Sequence, residues 1–333
     1  MSHAKYDVLG IGNAIVDVIA RTEDDFLAAE GLAKGSMSLI DEARAEALYS
    51  RMGPAIEASG GSAANTLAGL SSFGGRAAFL GKVKADALGG VFAHDIRAIG
   101  VDFPTSPGVD GSATARCFIL VTPDGERTMS TYLGAAQALA PDDIDAATVE
   151  AAEVIYLEGY LWDPPAAKEA FRKAAAIAHA AGRKVALTLS DSFCVDRYRT
   201  EFLELIRTGV VDIVFSNDSE LKSLYETGDL EAALQGIAAD ARLAAVTLGA
   251  DGCVMLQGGE RVYVPAAPVD GAIVDKTGAG DLFAAGFLFG HVRGLDLRRS
   301  GELGSVAAAE VISHVGARPM VSLKQLAESR GLI

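Results

Sequence analysis

Only three cysteines, Cys117, Cys194 and Cys253, occur in 333 residues; they are far apart, odd in number and form no C-x-x-C pair. No disulfide framework is expected, and the three read as buried thiols in a reducing compartment. Positive charge is also scarce: 29 Lys and Arg oppose 44 Asp and Glu, a formal net charge of −15. That excludes a general nucleic-acid binder, whose backbone affinity comes from clustered Lys and Arg releasing counterions. Any anionic ligand must be drawn in by a local feature and not by the overall field. No run approaches 18 uninterrupted apolar residues, so no membrane partner is expected. The opening MSHAKYDVLGIG lacks the apolar stretch and cleavage site of a secretory leader, and a cytoplasmic location is the expectation. The five histidines show no metal-ligand spacing, and the absence of G-x-x-x-x-G-K-[ST] excludes a P-loop nucleotide site.

Half of the residues are hydrophobic, enough for a large core. No linker, charge block or repeat divides the chain, so residues 1–333 are expected to form one domain. Short β-branched apolar runs alternate with longer Ala-rich amphipathic segments, the pattern of α/β architecture with a parallel sheet. Candidate strands are YDVLGIG near residue 6, AAFLGKV near 77, VIYLEGY from 154, KVALTLS from 184, DIVFSN from 212 and LAAVTLG from 243. Polar residues at their carboxyl ends carry functional weight, because ligands of open α/β sheets gather there. Two stretches break the alternation, 13–40 with SMSLI as a strand and 112–133 with two strands around a Pro-Asp-Gly turn. They predict a small antiparallel flap of discontinuous segments over the sheet edge.

Four segments carry most of the chemistry, each with two readings. In VDKTGAGDLFAAGF, Gly278, Ala279 and Gly280 precede Asp281 at the start of an apolar helix. Uncovered N–H groups and the helix dipole would bind an anion there, with Asp281 placed to accept a proton from an alcohol; alternatively Gly280 makes a turn and Asp281 caps a helix. In GGSAANTLAGLSSFGG, Gly61, Ser62 and Asn65 at a helix start offer hydrogen bonds to a polyol, or Gly69 and the alanines serve close packing around an interior Asn65 amide. LGIGNAIVDVIA lacks the third glycine of a dinucleotide fingerprint, since Ile15 stands there. It reads as a strand end presenting Asn13 and Asp17, with Asp17 taking two hydroxyls or closing an Asx turn. In SNDSE, Asn217 and Glu220 share a helix face and form either a hard-oxygen site for Mg²⁺ or a capping box. TLGADG, residues 247–252, follows the next βα unit.

Taken together and in this order, these segments resemble the ribokinase-like (PfkB) family of carbohydrate and nucleoside kinases over essentially the whole chain. GGSAANTLAGLSSFGG is similar to the family's first signature and DKTGAGDLFAAG to its second; NDSE resembles its N-x-x-E motif and TLGADG its nucleotide loop. The resemblance implies a mostly parallel sheet with helices on both faces and a small β lid, here 13–40 and 112–133. It implies transfer of the ATP γ-phosphoryl group to a primary alcohol, with Asp281 as base and the N–H groups of Gly278, Ala279 and Gly280 as anion hole. Asn217 and Glu220 would act through Mg²⁺, Asn217, Thr247, Gly249 and Gly252 would line the ATP site, and Asn13, Asp17, Gly61 and Asn65 would hold the acceptor. One departure stands out: the second signature often reads D-T-T-G-A-G-D, and Lys276 here replaces its first Thr, which bears on any monovalent cation (K⁺) near Asp275.

Within the family, Gly12-Asn13 followed by Asp17 is similar to the start of adenosine kinases. DGERTMSTYLGAA also looks like bacterial members of that type, in which an Arg at the position of Arg127 lies near the transferred phosphate. The expected acceptor is therefore the 5′-hydroxyl of adenosine, with a ribose, fructose or keto-deoxy sugar acid as alternative and a non-catalytic regulator as the remote one. A base needs an apolar wall, for which Met37, Leu39, Phe118 and Trp162 are candidates; Arg116 is the lid cation for a sugar acid. Partners are expected to be small molecules, with the chain a monomer or a homodimer paired through lid edges.

Overall fold

The structure, a computed structural model, describes residues 4–333; the first three residues of the segment read for a leader lie outside them. The chain begins β1 (Tyr6–Ile11), β2 (Ile15–Arg21), α1 (Asp24–Ala29), β3 (Met37–Leu39), α2 (Glu42–Tyr49), β4 (Ala55–Gly60) and α3 (Ser62–Ser72). It continues β5 (Ala77–Leu80), α4 (Ala87–Ala98), β6 (Val101–Asp102), β7 (Ala115–Val121), β8 (Arg127–Tyr132), α5 (Ala146–Glu150), β9 (Ala152–Glu158), α6 (Pro165–Ala180) and β10 (Lys184–Thr188). The last part runs α7 (Ser192–Arg207), β11 (Ile213–Asn217), α8 (Asp218–Leu224), α9 (Leu230–Asp240), β12 (Leu243–Thr247), β13 (Cys253–Gln257), β14 (Glu260–Val264), α10 (Ala279–Val292), α11 (Leu297–Val311) and α12 (Leu323–Ser329).

The six apolar runs become β1, β5, β9, β10, β11 and β12, and with β6 they pair in parallel. The hairpin β13–β14, which sequence patterning did not single out, adds two antiparallel strands and completes a nine-stranded sheet ordered β14-β13-β12-β11-β10-β9-β1-β5-β6. Successive residues of these strands enter opposite cores: Val154 and Tyr156 of β9 face one, with α3, α10 and α11, while Ile155 and Leu157 face the other, with α6, α7 and α9. Burial on both faces explains why the runs read as continuous hydrophobic stretches. All three cysteines are buried and unpaired. No helix among the described residues is long and apolar enough to cross a membrane.

From β1 the sheet grows one way through β5 and β6 and the other way through β9 to β14. The gap between the carboxyl ends of β1 and β9 is thus the topological switch point at which ligands of such sheets bind.

A second sheet, ordered β3-β8-β7-β2-β4, stands beside the first. It corrects the expectation of an antiparallel flap: β2–β7 and β3–β8 are parallel, and only β7–β8 and β2–β4 are antiparallel. Parallel neighbours need a crossover, and the passage through the large sheet between β4 and β7 supplies it. Residues 55–60, outside the segments read as flap, form one edge.

Helix α10, which begins within the DKTGAGD segment, runs into the core, where Phe287 is fully buried. Its ring meets Phe215 edge-on at 5.5 Å and stacks on Phe283 at 6.3 Å. Phe287→Ala should cost about 3–5 kcal/mol in urea unfolding; a loss below about 1 kcal/mol would show that α10 is not anchored by this contact.

Candidate active site

A cavity of about 960 Å³ opens where the carboxyl ends of the large sheet face the second sheet. Asn13, leaving β1, and Glu158, ending β9, meet at the switch point: Asn13 Nδ2 donates to Glu158 Oε1 at 2.6 Å, and both residues are buried. The other Glu158 oxygen accepts the Ala63 N–H at 2.9 Å, so the first turn of α3 stabilises the carboxylate. Gly61 caps that helix with φ of 95°, and a Cβ there would overlap the Asn13 carbonyl oxygen. Glycine is what lets α3 begin against the end of β1.

Two further groups of that turn reach Asp281. Ser62 Oγ donates to Asp281 Oδ1 at 2.6 Å and Asn65 Nδ2 to Oδ2 at 3.1 Å. Asp281 lies in the first turn of α10, whose N-cap Gly278 is left-handed at φ of 80° and makes no side-chain cap. A Cβ at Gly278 would come within 2.7 Å of Ala317. The open N-terminal turn of this 14-residue helix faces the cavity, which Gly278, Ala279, Gly280 and Asp281 all line; this is the geometry that accepts an anion. The Ala279 N–H is partly engaged, in a long turn contact with Lys276 O at 3.3 Å.

Arg127 does not line the cavity. It is buried and its Nη1 pairs with Asp275 Oδ2 at 2.7 Å, while its Nε and Nη2 have no partner. The physical reason is charge: Asp275 is itself buried and draws the guanidinium onto the loop ahead of Gly278. Asp275 also accepts the N–H groups of Thr277 and Gly316, both at 3.0 Å. Three donors thus occupy most of the acceptor capacity of Asp275. Lys276 lines the cavity.

Asn217 and Glu220 line the opposite end of the cavity and form the full capping box of α8: Asn217 Oδ1 accepts the Glu220 N–H at 2.8 Å, and Glu220 accepts from Asn217 N at 3.0 Å and Nδ2 at 2.6 Å. No group of three or more His, Cys, Asp or Glu among the described residues converges as a self-contained metal site. The donor set nevertheless fits a Mg²⁺ ion that arrives with phosphate ligands and keeps its waters: Asp191 and Asp218 add negative charge around Glu220. Thr247 and Gly249 line the cavity, whereas Gly252 does not. Gly252 serves the turn into β13 at φ of 94°, with its carbonyl accepting from Leu248 N at 2.7 Å.

The second sheet turns an apolar face to the cavity through Ile15, Met37, Leu39, Ile119, Met129 and Leu133, with Asp17, Cys117 and Thr131 among them. Alternation sends the neighbours Arg116 and Phe118 to the other side, where the Arg116 guanidinium lies 5.9 Å from the Phe118 ring and 5.7 Å from the Tyr132 ring. Phe118 and Trp162, offered by the sequence as wall residues, are core instead; the Trp162 Nε1 donates to Glu201 at 2.9 Å. The aromatic residues at the cavity are Tyr160, Phe193, Phe215 and Phe283.

Sequence reasoning missed Glu158, although it is the acid at the carboxyl end of a predicted strand, and it missed Arg318. Burial pushes the carboxyls up: Asp17 to about 6, Glu158 to about 7 and Glu220 to about 7. Asp281 is raised by burial against the donors Ser62 and Asn65 and the charge of Arg318. Perturbed acids gathered in one cleft mark a functional site.

The comparisons with known proteins agree with this geometry. A family model described as pfkB family carbohydrate kinase matches residues 51–324. An adenosine kinase structure from Sinorhizobium meliloti is 58% identical, with a TM-score of 0.91 over 98% of this chain and 100% of that one. A probable sugar kinase structure from Rhizobium etli is 56% identical, with a TM-score of 0.92 over 99% and 100%. An ATP-dependent ribose-1-phosphate kinase from Halopiger xanaduensis is 31% identical over 79% of this chain and 83% of that protein. The chain belongs to the pfkB family of carbohydrate kinases and is an ATP-dependent phosphotransferase that acts on an alcohol group.

Proposed function

We propose that the chain phosphorylates the 5′-hydroxyl of adenosine, converting ATP and adenosine to ADP and AMP. The observation that carries this reading is the pairing, in one cavity, of hydroxyl-binding groups (Asn13, Asp17 and Asn65) with the apolar face of the second sheet. A ribose needs the first set, and a purine needs a wall whose burial offsets desolvation of its ring. A sugar acid would need a cation; Arg116 of the second sheet is turned away, and the cations that line the cavity, Arg197 of α7 and Lys276 ahead of Gly278, lie off the apolar face. The neighbour from Sinorhizobium meliloti, named an adenosine kinase, supports the same choice.

Asp281 takes the proton as the alcohol oxygen attacks the γ-phosphorus, and the N–H groups of Gly278, Ala279 and Gly280 with the dipole of α10 stabilise charge on the phosphoryl oxygens. Bound Mg²⁺ supplies charge neutralisation on the polyphosphate, and Asn217 and Glu220 would hold it through water. Thr247 and Gly249 line the nucleotide end. The second sheet acts as the lid that excludes water, with Arg127 joining it to Asp275.

Asp281→Asn should lower kcat by about 10²–10⁴-fold and leave ATP binding intact; unchanged turnover would remove the base. Asp17→Ala should raise the KM for the acceptor far more than that for ATP, whereas equal losses would make Asp17 structural. A base and its neighbours must be ionised to act, so raised pKa values move the acid limb upward. Turnover should decline as pH falls through about 7 to about 6, where Glu158, Glu220 and Asp17 take up protons. A pH–rate profile flat to about pH 5, the range of ordinary carboxylates, would contradict this. The deciding assay is ADP release with Mg·ATP against adenosine, inosine, guanosine, ribose, ribose 1-phosphate, fructose and 2-keto-3-deoxygluconate. Turnover of adenosine alone supports the proposal, turnover of a sugar alone overturns the acceptor, and silence throughout with binding by thermal shift points to a non-catalytic module.

A further inference from the structure

Arg318 lies outside every motif, in the turn between α11 and α12, and does not line the cavity. Its guanidinium nevertheless reaches the site from behind. Nε donates to Asn65 Oδ1 at 2.8 Å, and Nη2 donates to the Ser59 carbonyl at 2.6 Å and to Ser59 Oγ at 3.2 Å. Ser59 belongs to β4, the strand that leads out of the second sheet into α3, and its N–H and Oγ donate to Asp95 of α4 at 2.8 and 2.5 Å. The guanidinium therefore sits on the joint between the second sheet and the helix whose first turn holds Asp281.

The Asn65 amide has two faces, a donor and an acceptor. With its oxygen taken by Arg318, only its NH₂ can point at Asp281 Oδ2, where it donates at 3.1 Å. Freed from Arg318, the amide could turn its oxygen toward the carboxylate, an acceptor against an acceptor. We propose that Arg318 is a positioning residue for phosphoryl transfer: it locks the Asn65 amide so that its NH₂ is presented to Asp281, and pins the β4–α3 joint at Ser59. This rests on Asp281 being the base.

Charge acts in the same direction. Arg318 opposes the burial that raises both Asp281 and Asp17, and Arg127 of β8 also acts on Asp17. The other ionisable groups that sense Asp281 are Asp17 of β2, Tyr156 and Glu158 of β9, Tyr160 in the following turn and Glu220 of α8. All are acids or phenols, so removal of Arg318 leaves their mutual repulsion less opposed.

The test uses Arg318→Gln, Arg318→Lys and Asp281→Asn in the full chain, with kcat and both KM values read across pH and melting temperature recorded. Arg318→Gln should lower kcat at least about 10-fold, raise the KM of the acceptor but not of ATP, and move the acid limb up by about one pH unit. Arg318→Lys keeps the charge and loses the two-pronged donor, so the limb should return while kcat stays low. Should Arg318→Gln fail to fold, the lysine variant carries the test, and wild-type kcat in it would overturn the proposal. A limb that stays in place with equal losses for both substrates and a lowered melting temperature would make Arg318 merely structural. An inactive Asp281→Asn beside an unaltered Arg318→Gln overturns this inference alone; an active Asp281→Asn overturns the reading beneath it as well.

Discussion

Four of the carboxylates that line the cavity, those of Asp17, Glu158, Glu220 and Asp281, are pushed up by burial in a chain that already carries excess negative charge, and keeping them ionised there constrains everything around them. A carboxylate removed from water is costly unless hydrogen bonds or opposite charge replace the solvent. The first turn of α3 meets that need for two of them. It donates Ala63 N–H to Glu158 and the side chains of Ser62 and Asn65 to Asp281. One helix start thus serves an acid at the end of β9 and another at the start of α10. That is feasible only because Gly61, with φ of 95°, lets α3 begin beside Asn13. The conformation of one residue therefore sets how closely the carboxyl end of β1 approaches the helix start that holds Asp281.

The second sheet contributes by alternation. On β7, Cys117 and Ile119 face the cavity while Arg116 and Phe118 face away. Shifting this strand by one residue would exchange the two sets and place a guanidinium on what is now the apolar face of the pocket. Register is held from both sides, by seven pairs to β2 and by six to β8 across the Pro123–Gly125 turn. The apolar character of this cavity face is accordingly written in the register of a strand as much as in its residues.

Much of the fold was legible because the parallel strands are buried on both faces, and such strands announce themselves as apolar runs ending in Gly, Ser or Asn. What stayed illegible depends on partners distant in sequence. The strand Ala55–Gly60 reads AIEASG, poor in β-branched residues, and becomes a strand because β2 pairs with it. The parallel pairing of β2 with β7 has no local turn to betray it. In the site, residues of the two glycine-rich signatures meet at the cavity, because each signature places a helix start there. Arg127 and Gly252 do not line it: the first is drawn to Asp275 and the second closes a turn. Glu158 carried a readable signal, an acid at a strand end. Arg318 carried none, because its role arises where the C-terminal turn crosses α3, some 250 residues away in sequence, with Arg318 donating to Asn65.

The segment Asn217–Glu220 shows why a structural and a functional reading of one motif need not compete. The capping box uses one acceptor direction on each Glu220 oxygen, toward Asn217 N and Nδ2. An ionised carboxylate offers about four lone-pair sites, so each oxygen retains one. The box fixes where those point, and Glu220, at the cavity wall, is poised to accept from the ordered water shell that a hard cation keeps. Its pKa near 7 reflects burial with Asp191, Asp218 and Asp281 close by, a surplus of negative charge that a cation bound with phosphates would relieve. The capping box is the reading that the structure shows, and because it leaves these acceptor directions open, removing the cap would loosen the helix and re-aim them together.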